Sequence, residues 1–349
     1  MPESTLLDLP FDDLRARLLS FGEPAYRAQQ IWSAVYRNLA ISYDEMPTLP
    51  RRLRAGLAEL IPLDRPAVEA TTESRDGRTT KTLLRFADAE AIEVVSMRYD
   101  DRRTVCVSTQ VGCAMDCRIC ATGRGGFTRD LAVGEIVEQV LHVARALRSR
   151  ELRPTNVVYM GMGEPFANYD ATLGSIRILN DPRGFGLRAR AFTVSTIGIV
   201  PGIERFAEEE LQVNLAVSLH AADDELRDRL VPINRTYPLD VLLRACRAYV
   251  AKTNRRITFE VALIGGVNDS SSHARRLADL LRGLLCHVNL IPFNPVPGLD
   301  WERCPEEQVR RFADVLAARG VPVTIRVRRG VEIEAGCGQL RAKRADGRT

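Results

Sequence analysis

Three of the eight cysteines lie within one short polar loop, Cys113, Cys117 and Cys120, with the spacing C-x3-C-x2-C. Thiolates hold iron–sulfur clusters, and a closely spaced run lets one loop reach several irons of the same cluster. A four-iron cluster ordinarily takes four ligands, whereas this loop offers three. Either a remote residue completes the site, or one iron stays open for a substrate.

Other uses of three cysteines fit the sequence less well. Zinc is the rival, because three cysteines and one histidine form a known zinc site, but no second C-x2-4-C pair follows. A disulfide framework is disfavoured, since nothing resembles a signal peptide and disulfides are rare in cytosolic proteins. Inert core thiols are common, yet three in one glycine-flanked loop are not typical of a core. The sequence therefore favours a cluster in a cytoplasmic protein.

Two further cysteines are candidates for thiol chemistry. Cys106 lies within a predicted strand, seven residues before Cys113. Cys337 lies between Gly336 and Gly338, which favours an accessible, reactive sulfur, although a free thiol in a flexible segment is often incidental. The other cysteines carry no assigned role. Cys246 and Cys286 are predicted core residues near apolar helical faces, and Cys304 lies in a polar loop.

The chain's apolar periodicity divides it into helical and mixed regions. Residues 1–65 are predicted to form a small helical domain in which Trp32 is a core residue. Residues 66–103 read as β-strands, with a hairpin turn at Asp76-Gly77. Glu93 lies inside one of these strands, where a single carboxylate usually faces solvent. The predicted strands of this part cover 68–73, 79–86, 91–97 and 104–108.

Strands and helices then alternate, which predicts an α/β fold with a parallel sheet and right-handed crossovers. About six such units indicate a partial (β/α)6 barrel over 104–300, followed by a C-terminal extension over 301–349. Further strands are predicted at 156–160, 191–195, 213–218, 257–263, 288–292 and 323–327. Helices are predicted at 132–147, 170–179, 203–210, 239–252, 273–285 and 306–319.

Polar residues follow these strands at their C-terminal ends, where the site of such a barrel lies. Together they could form a pocket for a cofactor with an amino acid part, a ribose and a purine. His220 could equally be a structural histidine whose ring nitrogens are hydrogen-bonded within the protein. The candidates are Gly163, Glu164, Ser195, Ser218, Leu219, His220 and Asn294.

The composition limits the possible classes of protein but does not indicate a function. Of the 349 residues, 45% are hydrophobic, and no run of eighteen apolar residues predicts a membrane helix. The net charge of +4 is thin support for nucleic acid, but the basic residues cluster. Each cluster is either a solvated face or a phosphate-contacting surface. The clusters are Arg51, Arg52 and Arg54; Arg98, Arg102 and Arg103; and Arg341, Lys343, Arg344 and Arg348.

Seven stretches between about Pro24 and Leu340 occur in a characteristic order: CVSTQVGCAMDCRICATG, VVYMGMGEP, VSTIGIVPGI, LAVSLHAADDELRDRLVPIN, ITFEVALIGGVNDS, HVNLIPFNPVPG and EAGCGQL. They resemble the radical S-adenosylmethionine (SAM) RNA adenine methyltransferases of the RlmN/Cfr family. The N-terminal helices resemble that family's RNA-binding domain. The resemblance is far more specific than the cysteine run alone.

The resemblance implies a role for each candidate. Cys113, Cys117 and Cys120 would hold a [4Fe–4S] cluster, and the seven pocket residues would contact SAM. Cys337 would carry the methyl group, and Cys106 would form a transient disulfide with it. Glu93, thirteen residues before Cys106, falls where the family places a proton acceptor.

The resemblance also implies the reaction. Two SAM molecules are used per turnover: one methylates Cys337, and the other yields a radical that activates this methyl group. The expected product is an adenosine of 23S rRNA methylated at C2, with tRNA as a second substrate and an electron donor such as flavodoxin. Methylation at C8, as in the Cfr branch, is the closest alternative. A non-catalytic RNA-binding iron–sulfur protein is the alternative from another class.

Overall fold

The computed structural model describes residues 5–296, 298–327 and 329–341. An N-terminal helical module packs its apolar faces inward, and Trp32, 1% exposed, lies in its core as predicted. The ring of Trp32 meets Phe11 edge-on at 5.5 Å and Tyr36 at 4.3 Å between ring centroids. Its helices are α1 (Phe11–Ser20), α2 (Tyr26–Tyr36) and α3 (Arg51–Leu60).

The N-terminal module docks on the rest of the protein through short polar contacts and one close approach. The Asp8 carboxylate accepts a hydrogen bond of 2.7 Å from the amide of Gly134. Gly184 packs against Trp32 so closely that a Cβ there would collide with the indole. The module is therefore held by specific contacts rather than by a linker alone.

Ten of the described strands form one open sheet in the order β1-β2-β3-β4-β7-β8-β9-β10-β11-β12. The first three are antiparallel neighbours, β3 also pairs antiparallel with β4, and from β4 onward every pair is parallel. The predicted partial barrel is confirmed. The strands are β1 (Ala67–Glu73), β2 (Thr79–Arg85), β3 (Ala91–Arg98), β4 (Arg103–Cys106), β7 (Asn156–Tyr159), β8 (Phe192–Thr196), β9 (Asn214–Ser218), β10 (Ile257–Leu263), β11 (Cys286–Pro292) and β12 (Val323–Ile325).

Helices cross between the parallel strands. Helix α5 (Val133–Arg148) buries the predicted apolar stripe, including Ile136, Val140 and Leu147, in the core. No helix among the described residues is long and apolar enough to cross a membrane. The helices are α4 (Ala121–Arg124), α5 (Val133–Arg148), α6 (Tyr169–Asn180), α7 (Val200–Ala207), α8 (Asp224–Leu230), α9 (Leu239–Thr253), α10 (Ser271–Leu280) and α11 (Glu306–Ala318).

The structure differs from the predictions at several elements. A small hairpin of β5 (Gln110–Gly112) and β6 (Phe127–Asp130) brackets the cysteine loop and was not predicted, because strands this short show no periodicity. Helix α8 was also missed, although Asp223 caps it by accepting from the amide of Leu226. Helix α7 starts three residues early because Pro201 suits a first helical turn.

The cysteines without a predicted role are all buried. Cys246 and Cys286 are 0% and 5% exposed, which confirms them as core residues, although Cys286 opens a strand and not a helix. Cys304 lies in a loop with polar neighbours, as predicted, but it is 1% exposed because its side chain packs into the core. Three of the predicted basic tail residues, Lys343, Arg344 and Arg348, lie outside the described residues.

Candidate active site

The cysteine loop lies between β5 and α4, beside the C-terminal ends of the parallel strands. Cys120 is the residue before α4, and the three cysteines line one cavity, here called the front cavity. Ten of the predicted site residues line it, although the sequence spreads them over more than 220 positions. These are Cys113, Cys117, Cys120, Gly163, Glu164, Ser195, Ser218, His220, Asn294 and Cys337.

Three predicted site residues do not line the front cavity. The side chain of Leu219 is fully buried, and its backbone amide donates to the carbonyl of Glu260 at 3.0 Å. Cys106 lines a second cavity, here called the rear cavity. Glu93 lines neither cavity but lies on the same sheet face as Cys106, since Val95 pairs with Cys106 and strand residues two apart share a face.

Glu164 is tied to the backbone around it. Its Oε2 accepts from the amide of Ile197 at 2.8 Å, and its Oε1 accepts from the amide of Phe166 at 3.0 Å. Burial raises the pKa of the Glu164 carboxyl to about 7, although these hydrogen bonds act in the opposite direction and lower it. The preceding Gly163 has a φ of +101°, and a Cβ there would lie 2.8 Å from the amide nitrogen of Gln110, so only glycine fits. Together these residues fix the loops after β7 and β8.

His220 is a buried, neutral histidine at the front cavity. Burial lowers its pKa to about 3, and the nearby Arg227 guanidinium acts in the same direction. Its Nδ1 accepts a hydrogen bond of 3.1 Å from the amide of Ala262. The assigned proton is therefore on Nε2. His220 has a structural partner and also lines the cavity, so both sequence interpretations describe part of its surroundings.

Cys337 lines both the front and the rear cavity. The segment that carries it, residues 330–341, is held in place from several sides. Asn294 donates through Nδ2 to the Cys337 carbonyl at 3.2 Å. Ala121, beside the cysteine loop, donates to the Gly338 carbonyl at 2.7 Å, and the Thr122 hydroxyl donates to the Leu340 carbonyl at 2.7 Å. These contacts hold Cys337 where it contributes to the lining of both cavities.

Cys106 faces Cys337 from the sheet side of the rear cavity. It ends β4 and is 8% exposed. Burial raises the pKa of its thiol to about 12, and the neighbouring Cys337 sulfur acts in the same direction. In this arrangement Cys106 is a protonated thiol at neutral pH, and both cysteines are free.

Glu93 is an ion-paired, buried carboxylate, not the solvent-facing one that a lone strand carboxylate usually is. It is 5% exposed. Lys81 Nζ lies 2.8 Å from Oε1. The backbone amide of Arg341 donates to Oε2 at 2.7 Å.

Family comparisons place these features in context. A model of the radical SAM superfamily matches residues 107–278, and one of the ribosomal RNA large subunit methyltransferase N-terminal domain matches residues 4–63. A probable dual-specificity RNA methyltransferase RlmN of Chloroflexus aurantiacus is 49% identical, over 97% of this chain and 93% of that protein. The dual-specificity RNA methyltransferase RlmN 1 of Myxococcus xanthus is also 49% identical, over 98% and 96%. The chain belongs to the RlmN family of radical SAM RNA methyltransferases.

A solved structure agrees with this family. The crystal structure of a radical SAM methyltransferase from Sphaerobacter thermophilus superposes with a TM-score of 0.95 at 53% identity, covering 97% of this chain and 99% of that one. At this identity and coverage the whole fold is shared, including the N-terminal module. The family's cofactors are a [4Fe–4S] cluster and SAM.

The donor set of the front cavity fits the RlmN family's cluster. Cys113, Cys117 and Cys120 all line this cavity, and in a cluster each thiolate binds a different iron. Burial raises the pKa of Cys113 to about 12 and raises that of Cys117, and only a nearby cationic centre would deprotonate such thiols.

Two charged residues of this RlmN-family site were missed. Arg326 lines both cavities, and the nearby Cys337 thiol raises the pKa of its guanidinium. Glu260 lines the front cavity and is 5% exposed; burial raises its pKa, which Arg326 opposes. The sequence gives no signal for Arg326, which lies in an arginine-rich segment. Glu260 lies in a predicted strand, and the sequence does not show whether its side chain faces the barrel interior.

Proposed function

We propose that the protein methylates C2 of an adenosine in 23S rRNA and of an adenosine in tRNA, in the cytoplasm. The observation that carries the proposal is the position of Cys337, which lines both cavities. The front cavity holds the predicted cluster and SAM residues, and the rear cavity holds Cys106. A methyl-carrying thiol needs access to both a methyl donor and a resolving thiol, and the position of Cys337 in the lining of both cavities supports this role.

The chain's own residues have distinct tasks in this proposal. When bound, the cluster and two SAM molecules per turnover supply the methyl group and the radical that activates it. Cys337 accepts the methyl group on its sulfur and carries it to the adenine ring. Glu93 takes the proton from the ring carbon as the general base, a role that requires hydrogen-bond reach of that proton. Cys106 then attacks the Cys337 sulfur: a disulfide forms, the bond from that sulfur to the adduct carbon breaks, and the electron pair leaves with this carbon, which takes up a proton to become the methyl group. The displacement is like thiol–disulfide exchange.

Cys113, Cys117 and Cys120 are the proposed cluster ligands, with SAM contacts from the pocket residues that line the front cavity. The exception is Leu219, whose side chain is buried elsewhere, so its contribution would be through its backbone. The reaction also needs an electron from outside the chain, and a protein donor such as flavodoxin is the proposed source.

The C2 product is favoured over C8 by the relatives, since full-length proteins at 49% identity carry the name RlmN. The assignment is tested by digesting RNA from cells with and without the protein and identifying the modified nucleoside against standards. 2-Methyladenosine in both rRNA and tRNA is expected. 8-Methyladenosine as the sole product would overturn the C2 assignment.

The two-thiol mechanism is tested by cysteine variants of the cluster-loaded protein. Cys337→Ala should abolish methylation, whereas Cys106→Ala should accumulate a covalent protein–RNA adduct because the adduct can form but not resolve. Cys304→Ala, a buried thiol outside both cavities, is the control and should stay active. Full methylation by Cys337→Ala would contradict the mechanism. Absence of RNA methylation by the unaltered, cluster-loaded protein would favour a non-catalytic RNA-binding protein.

A further inference from the structure

Within the described part of the chain, the carboxylate of Glu93 is ion-paired with the side chain of Lys81. The two charged atoms lie 2.8 Å apart, and their side chains are 14% and 7% exposed. The pair is diagonal across two antiparallel strands: Lys81 pairs in register with Val95, and Glu93 pairs with Leu83. Diagonal neighbours of this kind share one sheet face and are within reach of long side chains.

That face of the sheet is covered by the segment carrying Cys337. Lys81 Nζ also donates to the backbone carbonyl of Glu334 at 3.4 Å. The second oxygen of Glu93 accepts from the amide of Arg341. The Lys81–Glu93 pair is therefore clamped to both ends of the stretch 334–341, which has Cys337 in its middle.

A buried carboxylate tends to bind a proton, since low polarity disfavours the charged form. A general base must be ionised and correctly oriented before it can accept a proton. An ammonium group at hydrogen-bond distance meets both requirements, because it stabilises negative charge and fixes one carboxylate oxygen. Leu83, directly across from Glu93 on β2, and Val95, two residues along β3, are apolar neighbours on this face and supply neither.

We propose that Lys81 is the positioning residue of Glu93, holding its carboxylate turned towards the Cys337 segment during resolution of the adenine adduct. This inference rests on the proposed function of Glu93. In the step concerned, the ring C–H bond breaks, its electron pair stays with the ring and the proton goes to Glu93. Lys81 keeps its protons throughout, so it acts only through the carboxylate.

The test is Lys81→Met, which keeps the length of the side chain and removes its charge, with Lys81→Arg as the conservative variant. In cluster-loaded Lys81→Met, methylation of Cys337 and formation of the RNA adduct should proceed as in the unaltered protein. Release of methylated RNA should slow by about tenfold or more. The adduct should then accumulate on a denaturing gel, and Lys81→Arg should restore release at least partly. Lys252→Met, which removes an exposed lysine paired with Glu208 on the surface, should change neither step.

Two results would overturn the inference. Lys81→Met that releases product at the normal rate would show that Glu93 needs no cationic partner. Lys81→Met that also loses Cys337 methylation would show a structural role in holding the segment 334–341. Glu93→Gln tests the underlying function separately. If that variant releases product normally, Glu93 is not the base, whatever Lys81→Met does.

Discussion

The two thiols of the proposed reaction stand in different surroundings. Cys106 is nearly enclosed at the end of a strand, and its pKa is raised to about 12. Cys337 is partly exposed on a segment held by backbone hydrogen bonds. A resolving thiol that stays protonated until the adduct has formed would not compete with Cys337 for the methyl group. Burial of Cys106 therefore separates the two cysteines' tasks.

This difference predicts a pH-dependent order of alkylation. In cluster-loaded protein at pH 8, iodoacetamide should label Cys337 well before Cys106, because only the thiolate reacts. Labelling of Cys106 should rise about tenfold for each pH unit up to about 10, since its pKa lies above that range. Peptide mass spectrometry measures both sites, and urea-unfolded protein provides the reference in which both react alike. Equal labelling of the folded protein at pH 8 would contradict the burial argument.

At the level of elements, the N-terminal module depends on one close contact. Gly184, in the connection after α6, lies against Trp32 of α2; a Cβ there would stand 2.9 Å from Cδ1 of the indole and 3.2 Å from Cβ of Tyr36. Both aromatic side chains are buried, so neither can move aside easily. The loop and the helix must therefore separate to admit even one methyl group.

Gly184→Ala should consequently lower the free energy of unfolding by about 1–3 kcal/mol, the usual cost of overpacking. Gly56→Ala is the matched control, because Gly56 lies inside α3 with open space around its Cα. There alanine should raise stability by about 0.5–1 kcal/mol, since glycine is a poor helix residue. Urea unfolding measures both variants. A Gly184→Ala protein as stable as the original would mean that the module docks less tightly than the contact indicates.

For the whole molecule, the proposed RNA partner requires a surface that meets phosphates. Arg51 and Arg52 are exposed at the start of α3, and within the described part of the chain neither forms an ion pair. Arg54, by contrast, is paired with Asp44 and donates to its carbonyl at 3.1 Å. The first two are therefore the members of this cluster that are free to contact RNA.

Replacing Arg51 and Arg52 together with alanine should weaken RNA binding and reduce the slope of log affinity against log salt by about one for each lost phosphate contact. Arg282 and Arg310, each exposed and beside a carboxylate, form the control pair on the barrel. Filter binding at several salt concentrations gives the slopes. An unchanged slope in the Arg51 and Arg52 variant would assign this cluster to a solvated face.

Local patterns in the sequence were sufficient for most elements. Strand and helix alternation predicted the parallel sheet from β4 onward, and Asp76-Gly77 predicted the turn between β1 and β2, where Gly77 has a φ of +63°. The cysteine spacing by itself indicated cluster chemistry. These features depend on neighbours a few residues apart, which is the range over which side-chain periodicity and turn preferences act. The division into domains stays a prediction.

The tertiary structure determined which side chains, distant in the sequence, lie together at the site. Cys106 and Cys337 are 231 residues apart (337 − 106), yet they line one cavity. Lys81 binds the carboxylate of Glu93, and Cys304 is enclosed despite its polar neighbours. No local pattern encodes such contacts, because they depend on how the C-terminal segment packs across the antiparallel strands. The sequence alone determined the kind of chemistry and the order of the elements; packing determined which thiol, amine and carboxylate stand together.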